Sequence, residues 1–350
     1  MTPSPRYVPR RIGHHAAHSG YDRLFEHMGL QAASSPWALK LADALPGALA
    51  WRLWAMRPQA TNAVGLRTEL GAMPYLAAGR NRLCHFIYGE DTYFLTPLWK
   101  RSSNRTLATF HYPPERLATR INAGSVRGLG AAIMVGENQR EFLEQLLPPE
   151  RVHYCPHAVD TAFFQPTTSA AETESQDTLR LVCAGSTFRD HATLREVHLA
   201  VRSAGYEVQT DVISPRPKQQ VLLDGVPGIH IHRDISDEAL RSLYCNATVG
   251  VLPLFNATAN NALLELLACG RPVVVSDVGG LAAYTRGSAA HLVPAQDVDA
   301  MAATVIALLK DAPRRALEGA LNRQHAEQQL GFEPVAARMR SIYAACAAAV

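Results

Sequence analysis

NATANNALLELLACGRPVVVSDVGG, residues Asn256 to Gly280, contains in order a small polar turn, a short helix, a stop, an apolar strand and a glycine pair. Asn260 and Asn261 suit the cap or first turn of a helix carrying Ala262 to Cys269. Gly270 offers a left-handed C-cap, and Pro272 prevents continuation. Val273, Val274 and Val275 form an uninterrupted β-branched run, as expected of a strand buried on both faces of a parallel sheet. Asp277 to Gly280 then falls at the strand's C-terminal edge, where open α/β sheets bind ligands.

At about 100° per residue, Thr258, Asn261 and Glu265 share one stripe, while Leu263, Leu264, Leu266 and Leu267 cover the opposite side. Small side chains at the helix start let an anion approach the backbone amides, and the helix dipole favours it. A carboxylate one to two turns on is placed to accept two hydrogen bonds from a ribose diol. The alternative is an ordinary amphipathic helix with its polar side in water.

Working outward, 350 residues suit two domains of roughly 150 residues each. A net charge of +3 is too small to argue for nucleic acid, and no basic run stands out beyond Arg6 to Arg11. Six scattered cysteines without CxxC or zinc-finger spacing read as reduced, buried thiols of a cytoplasmic protein. The opening MTPSPRYVPRRIGHH lacks an apolar core of the signal-peptide type, and no window reaches the roughly 18 apolar residues of a membrane span.

Tyr7 to His15 reads as a first strand, and Ser19-Gly20 as the turn into a helix through Phe25. That turn suits a phosphate or a sugar, with a simple Ser19 N-cap as the alternative. Pro36 to Arg57 carries Trp37, Trp51 and Trp54 on apolar faces edged by Lys40, Arg52 and Arg57, broken by Pro46-Gly47. A packed helix, an interfacial membrane helix and an acceptor-closing helix all fit it. From Leu83 strands and helices alternate: strands at Leu83–Tyr88, Thr106–Phe110, Ala131–Val135, Val152–Cys155, Leu179–Ala184, Gly228–His232, Val249–Leu252 and Ala290–Val293. Such alternation implies doubly wound parallel sheets. His111 sits just past a strand end, the expected crevice position, although a loop histidine would look the same.

A Glu in a Leu-rich helix, followed by Ala-Cys-Gly-x-Pro-Val-Val, Ser-Asp and Gly-Gly, resembles the donor-site signature of retaining glycosyltransferases of family 4. The resemblance extends over nearly the whole chain and implies the GT-B fold, an α/β architecture of two Rossmann-like doubly wound domains facing a cleft. The domains expected are 1–158 with a C-terminal helix 332–350 on the acceptor side, a linker 159–178, and 179–331 for the nucleotide-sugar. By that resemblance Ser19 and Gly20 face the cleft, Thr109-Phe110-His111 puts His111 beside the donor sugar as the catalytic-site residue, and Glu265 with Asn260 and Asn261 binds the donor. A Gly-Arg pair and a downstream Lys usually bind the diphosphate. Here Ser186 follows Gly185 and Asp190-His191 surrounds the Lys position, so Arg189 is the first substitute cation and Lys218 the second. An Arg189 ion pair with Asp190 or Glu196 is the structural alternative. The family's other acidic residue, eight positions before Glu265, is Ala257 here, which leaves its sugar contacts to Asn256, Asn260 and Asn261.

The resemblance further implies transfer of a sugar from a UDP- or GDP-linked co-substrate to a glycan or lipid-linked acceptor, with no cofactor and no bound metal. Peripheral contact with the inner membrane face through 36–57 is a further option. A catalytically silent GT-B subunit that binds a nucleotide-sugar or a partner enzyme is one alternative, kept by Ala257, Ser186 and His191. A nucleotide-sugar epimerase or phosphorylase-like enzyme is another. Three metal-like patterns read as structural: His14/His18, His153/His157, and Asp297-Val298-Asp299, where an Asp opens a helix.

Overall fold

A computed structural model of the chain describes residues 4–10, 18, 20–45, 52, 63–166, 179–214 and 221–348. The chain divides into two compact units. One comprises Met1–Gly13, Tyr21–Pro156 and Val335–Val350; the other comprises His14–Gly20 and His157–Pro334.

The first unit is built on six parallel strands: β1 (Arg6–Val8), β2 (Gln31–Ala32), β3 (Leu83–Phe86), β4 (Arg105–Phe110), β5 (Ala131–Met134) and β6 (Val152–Tyr154). Their order is β2-β1-β3-β4-β5-β6. Residues on both faces of the central strands are buried, Phe86, Ala108, Phe110 and Met134 among them. That two-sided burial is why these strands read as continuous apolar runs. At Gly89 a Cβ would lie 2.7 Å from the Ala108 Cβ, so the backbone after β3 runs close against β4. The helix Phe332–Ala348 buries Tyr343, whose hydroxyl meets Nδ1 of the buried His85 at 2.9 Å.

The second unit also holds six parallel strands: β7 (Leu179–Ala184), β8 (Val208–Ile213), β9 (Ile229–His232), β10 (Val249–Leu252), β11 (Val273–Ser276) and β12 (His291–Val293). They are ordered β12-β11-β10-β7-β8-β9, the doubly wound arrangement whose strand order reverses between β7 and β10. Leu181, Val251, Val274 and Leu266 lie at the centre of its core. At Gly250 an added Cβ would meet Leu266 Cδ1 at 2.6 Å, so the helix Asn261–Ala268 packs directly on β10.

Several expectations need correction. The first strand ends at Val8 and residues 11–17 lie outside the described residues. The expected linker 159–178 begins inside the second unit: Phe164 is fully buried in its core and Val159 bridges Gly331. Residues 167–178 lie outside the described residues. Of the tryptophan segment, Pro36–Asp43 is a helix that packs beside the helix Ala63–Ala78, where Gly71 leaves room for Leu39. Trp37 and Leu41 are exposed on its outer side, and Pro46, Gly47, Trp51 and Trp54 lie outside the described residues. All six cysteines are buried and free of disulfides. Among the described residues, no helix is long and apolar enough to cross a membrane.

Candidate functional site

In the second unit the polar residues converge at the reversal of strand order. β7 ends at Ala184 and β10 at Leu252, and the loops leaving both run side by side, bridged at Arg189 and Leu254. The Asp190 amide donates to Pro253 O at 3.0 Å, and the Phe255 amide to Phe188 O at 3.0 Å. Gly185 takes φ +96°, and a Cβ there would lie 2.7 Å from an Arg189 nitrogen, so the glycine makes room for the guanidinium.

Arg189 ties these loops to the helix start. Its Nε donates to Ala184 O at 2.7 Å, Nη1 to Thr187 O at 3.3 Å and Nη2 to Asn260 Oδ1 at 3.1 Å. Neither ion pair considered for it forms. Asp190 instead caps the helix His191–Ser203 by accepting from the Thr193 amide at 3.0 Å, and Glu196 pairs with Arg195. Burial pushes the Arg189 guanidinium down from its ordinary value, with the nearby Tyr244 and Glu265 acting in the opposite sense. A guanidinium has five N–H donors in a fixed fork, so these three acceptors do not exhaust it.

Asn260 is the N-cap of the helix Asn261–Ala268, with Oδ1 accepting from the Leu263 amide at 3.2 Å. That oxygen is shared between Arg189 and the helix, so Asn260 has only its amide nitrogen to offer a sugar. Asn261 Oδ1 faces His157 Nδ1 at 3.1 Å; burial pushes the His157 imidazole down to about 4, so the ring is neutral near pH 7. Gly279, at φ +57°, packs against the turn before the helix: a Cβ there would lie 1.8 Å from Ala257 O, which accepts from the Gly280 amide at 2.8 Å.

Glu265 departs from the solvated stripe. Every residue from Ala262 to Ala268 is buried, Glu265 at 5% exposure included. Its Oε2 accepts from the Tyr244 hydroxyl at 2.9 Å, and the carboxylate beside it helps raise the tyrosine's pKa well above its usual value, after burial. Tyr244, from the helix Asp237–Asn246, is a site residue that sequence reasoning missed. Thr258, before the cap, is also buried, and its hydroxyl has no hydrogen-bond partner. Lys218 lies outside the described residues.

The first unit carries a separate cluster at the C-terminal ends of β3 and β4. His111, half-buried, donates its backbone N–H to Glu90 Oε1 at 3.1 Å. Its Nε2 lies 2.7 Å from Ile87 O, which fixes the ring proton on that nitrogen. Tyr88 stacks on the ring with centroids 4.2 Å apart, and Tyr21 meets it edge-on at 4.8 Å. Glu90 is pushed up to about 8, first by burial and then by neighbouring Asp91. Its Oε2 is buried without a hydrogen-bond partner, and Asp91 pairs with Arg10 at 2.9 Å. The adjacent acids were legible as Gly89-Glu90-Asp91 but were read only as a turn; they form one turn of helix, Gly89–Thr92. Gly20, which belongs to the second unit, takes φ +125°, and Ser19 lies outside the described residues.

Among the described residues, no group of three or more His, Cys, Asp or Glu could hold a metal ion. Asp297 caps the helix Val298–Lys310 through the Ala300 amide at 2.9 Å.

The family of group 1 glycosyl transferases matches residues 178–311. An MMP alpha-(1->4)-mannosyltransferase of Mycolicibacterium hassiacum is 30% identical over 209 residues, 56% of this chain and 48% of that protein. A D-inositol 3-phosphate glycosyltransferase of Corynebacterium aurimucosum is 27% identical over 179 residues, 51% of this chain and 38% of the relative. The chain thus spans half or less of the length of these curated relatives. Among solved structures, the sucrose-phosphate synthase of Thermosynechococcus elongatus superposes with a TM-score of 0.63 at 19% identity, covering 80% of this chain and 77% of the other. Residues 178–311 thus match the group 1 glycosyl transferase family, and the order β12-β11-β10-β7-β8-β9 with this shared architecture gives the chain the GT-B fold.

Proposed function

We propose that the protein moves a sugar from a nucleotide-sugar donor to an acceptor hydroxyl, with retention at the anomeric carbon. The observation that carries this reading is the link from Arg189 Nη2 to Asn260 Oδ1 beside Glu265, at the switch point between β7 and β10. There a cation and a helix start face developing negative charge, and a buried carboxylate stands one turn along. The donor's diphosphate lies against Arg189 and the first amides of the helix, and its ribose hydroxyls donate to Glu265. As the bond from the anomeric carbon to the diphosphate oxygen breaks, its electron pair goes to the diphosphate; the acceptor oxygen bonds to the carbon on the same face, and its proton passes to the departing phosphate oxygen. Arg189 and the helix dipole stabilise the departing charge. His111, whose Nε2 holds Ile87 O, is the catalytic-site residue that the family resemblance implies. The donor we infer is a hexose on UDP or GDP and the acceptor a hydroxyl of a glycan or lipid-linked sugar; a relative named for D-inositol 3-phosphate supports a phosphorylated polyol as a further acceptor class.

Calorimetric titration with UDP- and GDP-linked glucose and mannose tests the site. Glu265→Gln retains an oxygen for Tyr244 but removes the charge, and donor affinity should fall roughly tenfold or more. Tyr244→Phe keeps the carboxylate and should weaken the donor less than Glu265→Gln does. Unchanged affinity in Glu265→Gln, or no nucleotide-sugar bound by the parent protein, would overturn the assignment.

A further inference from the structure

The opposite edge of the first sheet carries a cavity of about 150 Å³ where β4, β5 and β6 begin. Four cations line it: Lys100 from the turn before β4, Arg105 at its first residue, Arg127 from the helix Ala123–Arg127, and Arg151 just ahead of β6. Among the described residues no carboxylate lines it. Lys100, Arg127 and Arg151 make no ion pair among the described residues, and the Lys100 ammonium reaches only Asn104 O, at 3.4 Å. Burial, with Arg105 alongside, pushes the Lys100 ammonium down; burial pushes the Cys346 thiol in the wall up, with Arg105 and Arg151 acting in the opposite sense.

The wall is fixed by backbone. The Gly130 amide donates to Thr106 O at 2.8 Å, and an added Cβ at Gly130 would lie 2.9 Å from Cys346 Sγ. Asn104, fully buried, donates to Leu76 O at 2.6 Å and accepts from the Arg82 amide at 2.8 Å, which holds the Lys100 turn in place. Crowded like charges repel unless an anion sits among them, and three guanidinium forks with one ammonium match the oxygens of a phosphoryl group. Ligand pockets for whole organic molecules run from about 300 Å³ upward, so this volume takes one phosphoryl group and no nucleotide. β4 is six residues long, which sets the cavity about 20 Å from the His111 end of that strand.

We propose that this cavity is a phosphate-binding site, taking inorganic phosphate or the phosphoryl group of a small phosphate monoester. Titration of inorganic phosphate and of glycerol 1-phosphate at fixed ionic strength, followed by melting temperature and by calorimetry, tests it. A saturable rise in melting temperature is expected, absent with potassium chloride at equal ionic strength. Arg127→Gln combined with Arg151→Gln, both at exposed positions, should weaken the apparent affinity at least about tenfold. Arg189→Gln should leave the phosphate response intact, which separates this cavity from the donor site. Tighter binding of the monoester assigns a phosphorylated small molecule as the ligand, and equal or tighter binding of phosphate assigns the free ion. An equal response to chloride, or binding undiminished in the doubly substituted protein, would overturn the proposal.

Discussion

The crevice ends of the two sheets treat buried charge in opposite ways. In the second unit the two charged groups of the site have named neighbours: Arg189 holds two carbonyls and Asn260, and Glu265 holds Tyr244. In the first unit two adjacent acids, Glu90 and Asp91, share one ion pair to Arg10, and Glu90 keeps an oxygen without a partner. Both sheets are parallel and six-stranded, so the fold does not dictate the difference. A hydrogen-bonded network fixes geometry in advance of a ligand, whereas a buried acid whose pKa is pushed up makes the local stability depend on pH.

The largest expected effect breaks the second unit's side of this contrast. Gly279→Ala drives a methyl into Ala257 O and demands a left-handed backbone of a residue with a Cβ. Stability should fall by at least about 3 kcal/mol, read as a drop in the denaturant midpoint, with donor affinity lost alongside. An unchanged midpoint would mean that the turn before Asn260 yields easily and that the network is not rigid.

Glu90→Gln sharpens the first unit's side, and its sign is opposite. Glu90 has a folded pKa of about 8 against an ordinary 4.5. Between those values the folded protein holds a proton that the unfolded chain has released, so stability falls as pH rises through that window. The glutamine variant lacks this slope. It should melt near the parent at pH 5 and above it at pH 8, by on the order of 2 kcal/mol. Parallel melting curves across the range would contradict the burial argument for Glu90.

The smallest effect belongs to the apolar outer face of the first unit. Trp37 is 62% exposed, so Trp37→Ala should change stability by under about 0.5 kcal/mol. If that face meets a membrane surface, the same variant should sediment less with anionic liposomes. Equal sedimentation would leave the tryptophan without a membrane role.

Where strands are buried on both faces, local composition sufficed. Leu179–Ala184 and Val249–Leu252 match their expected limits, and the valine run extends by one residue, to Ser276. β2 escaped because its two residues, Gln31 and Ala32, are both exposed and carry no pattern. The helix Ala63–Ala78 escaped because Gly71 and Pro74 interrupt it and its apolar residues favour no single side. The candidate site was legible in residue type more than in environment. Periodicity set Glu265 apart from the leucines, but its neighbour Tyr244 lies 21 residues earlier on another helix. No spacing rule within one helix reaches that far, and the same holds for Arg189 and Asn260, 71 residues apart.

The hydrogen bond between His85 and Tyr343 spans 258 residues. Burial holds the imidazole at about 3, so it is neutral at physiological pH, and it sits between the Tyr343 hydroxyl and Thr109 Oγ1, 2.7 Å away. On a ribosome adding roughly 5 to 20 residues per second, His85 waits on the order of ten to fifty seconds for that hydroxyl to be synthesised. Through that interval the second unit's residues are made while the first unit lacks the helix that brings Tyr343 to His85. Maturation of the first unit is therefore timed by translation of a distant helix, and slowing translation of residues 157–334 would prolong its exposure to chaperones and proteases.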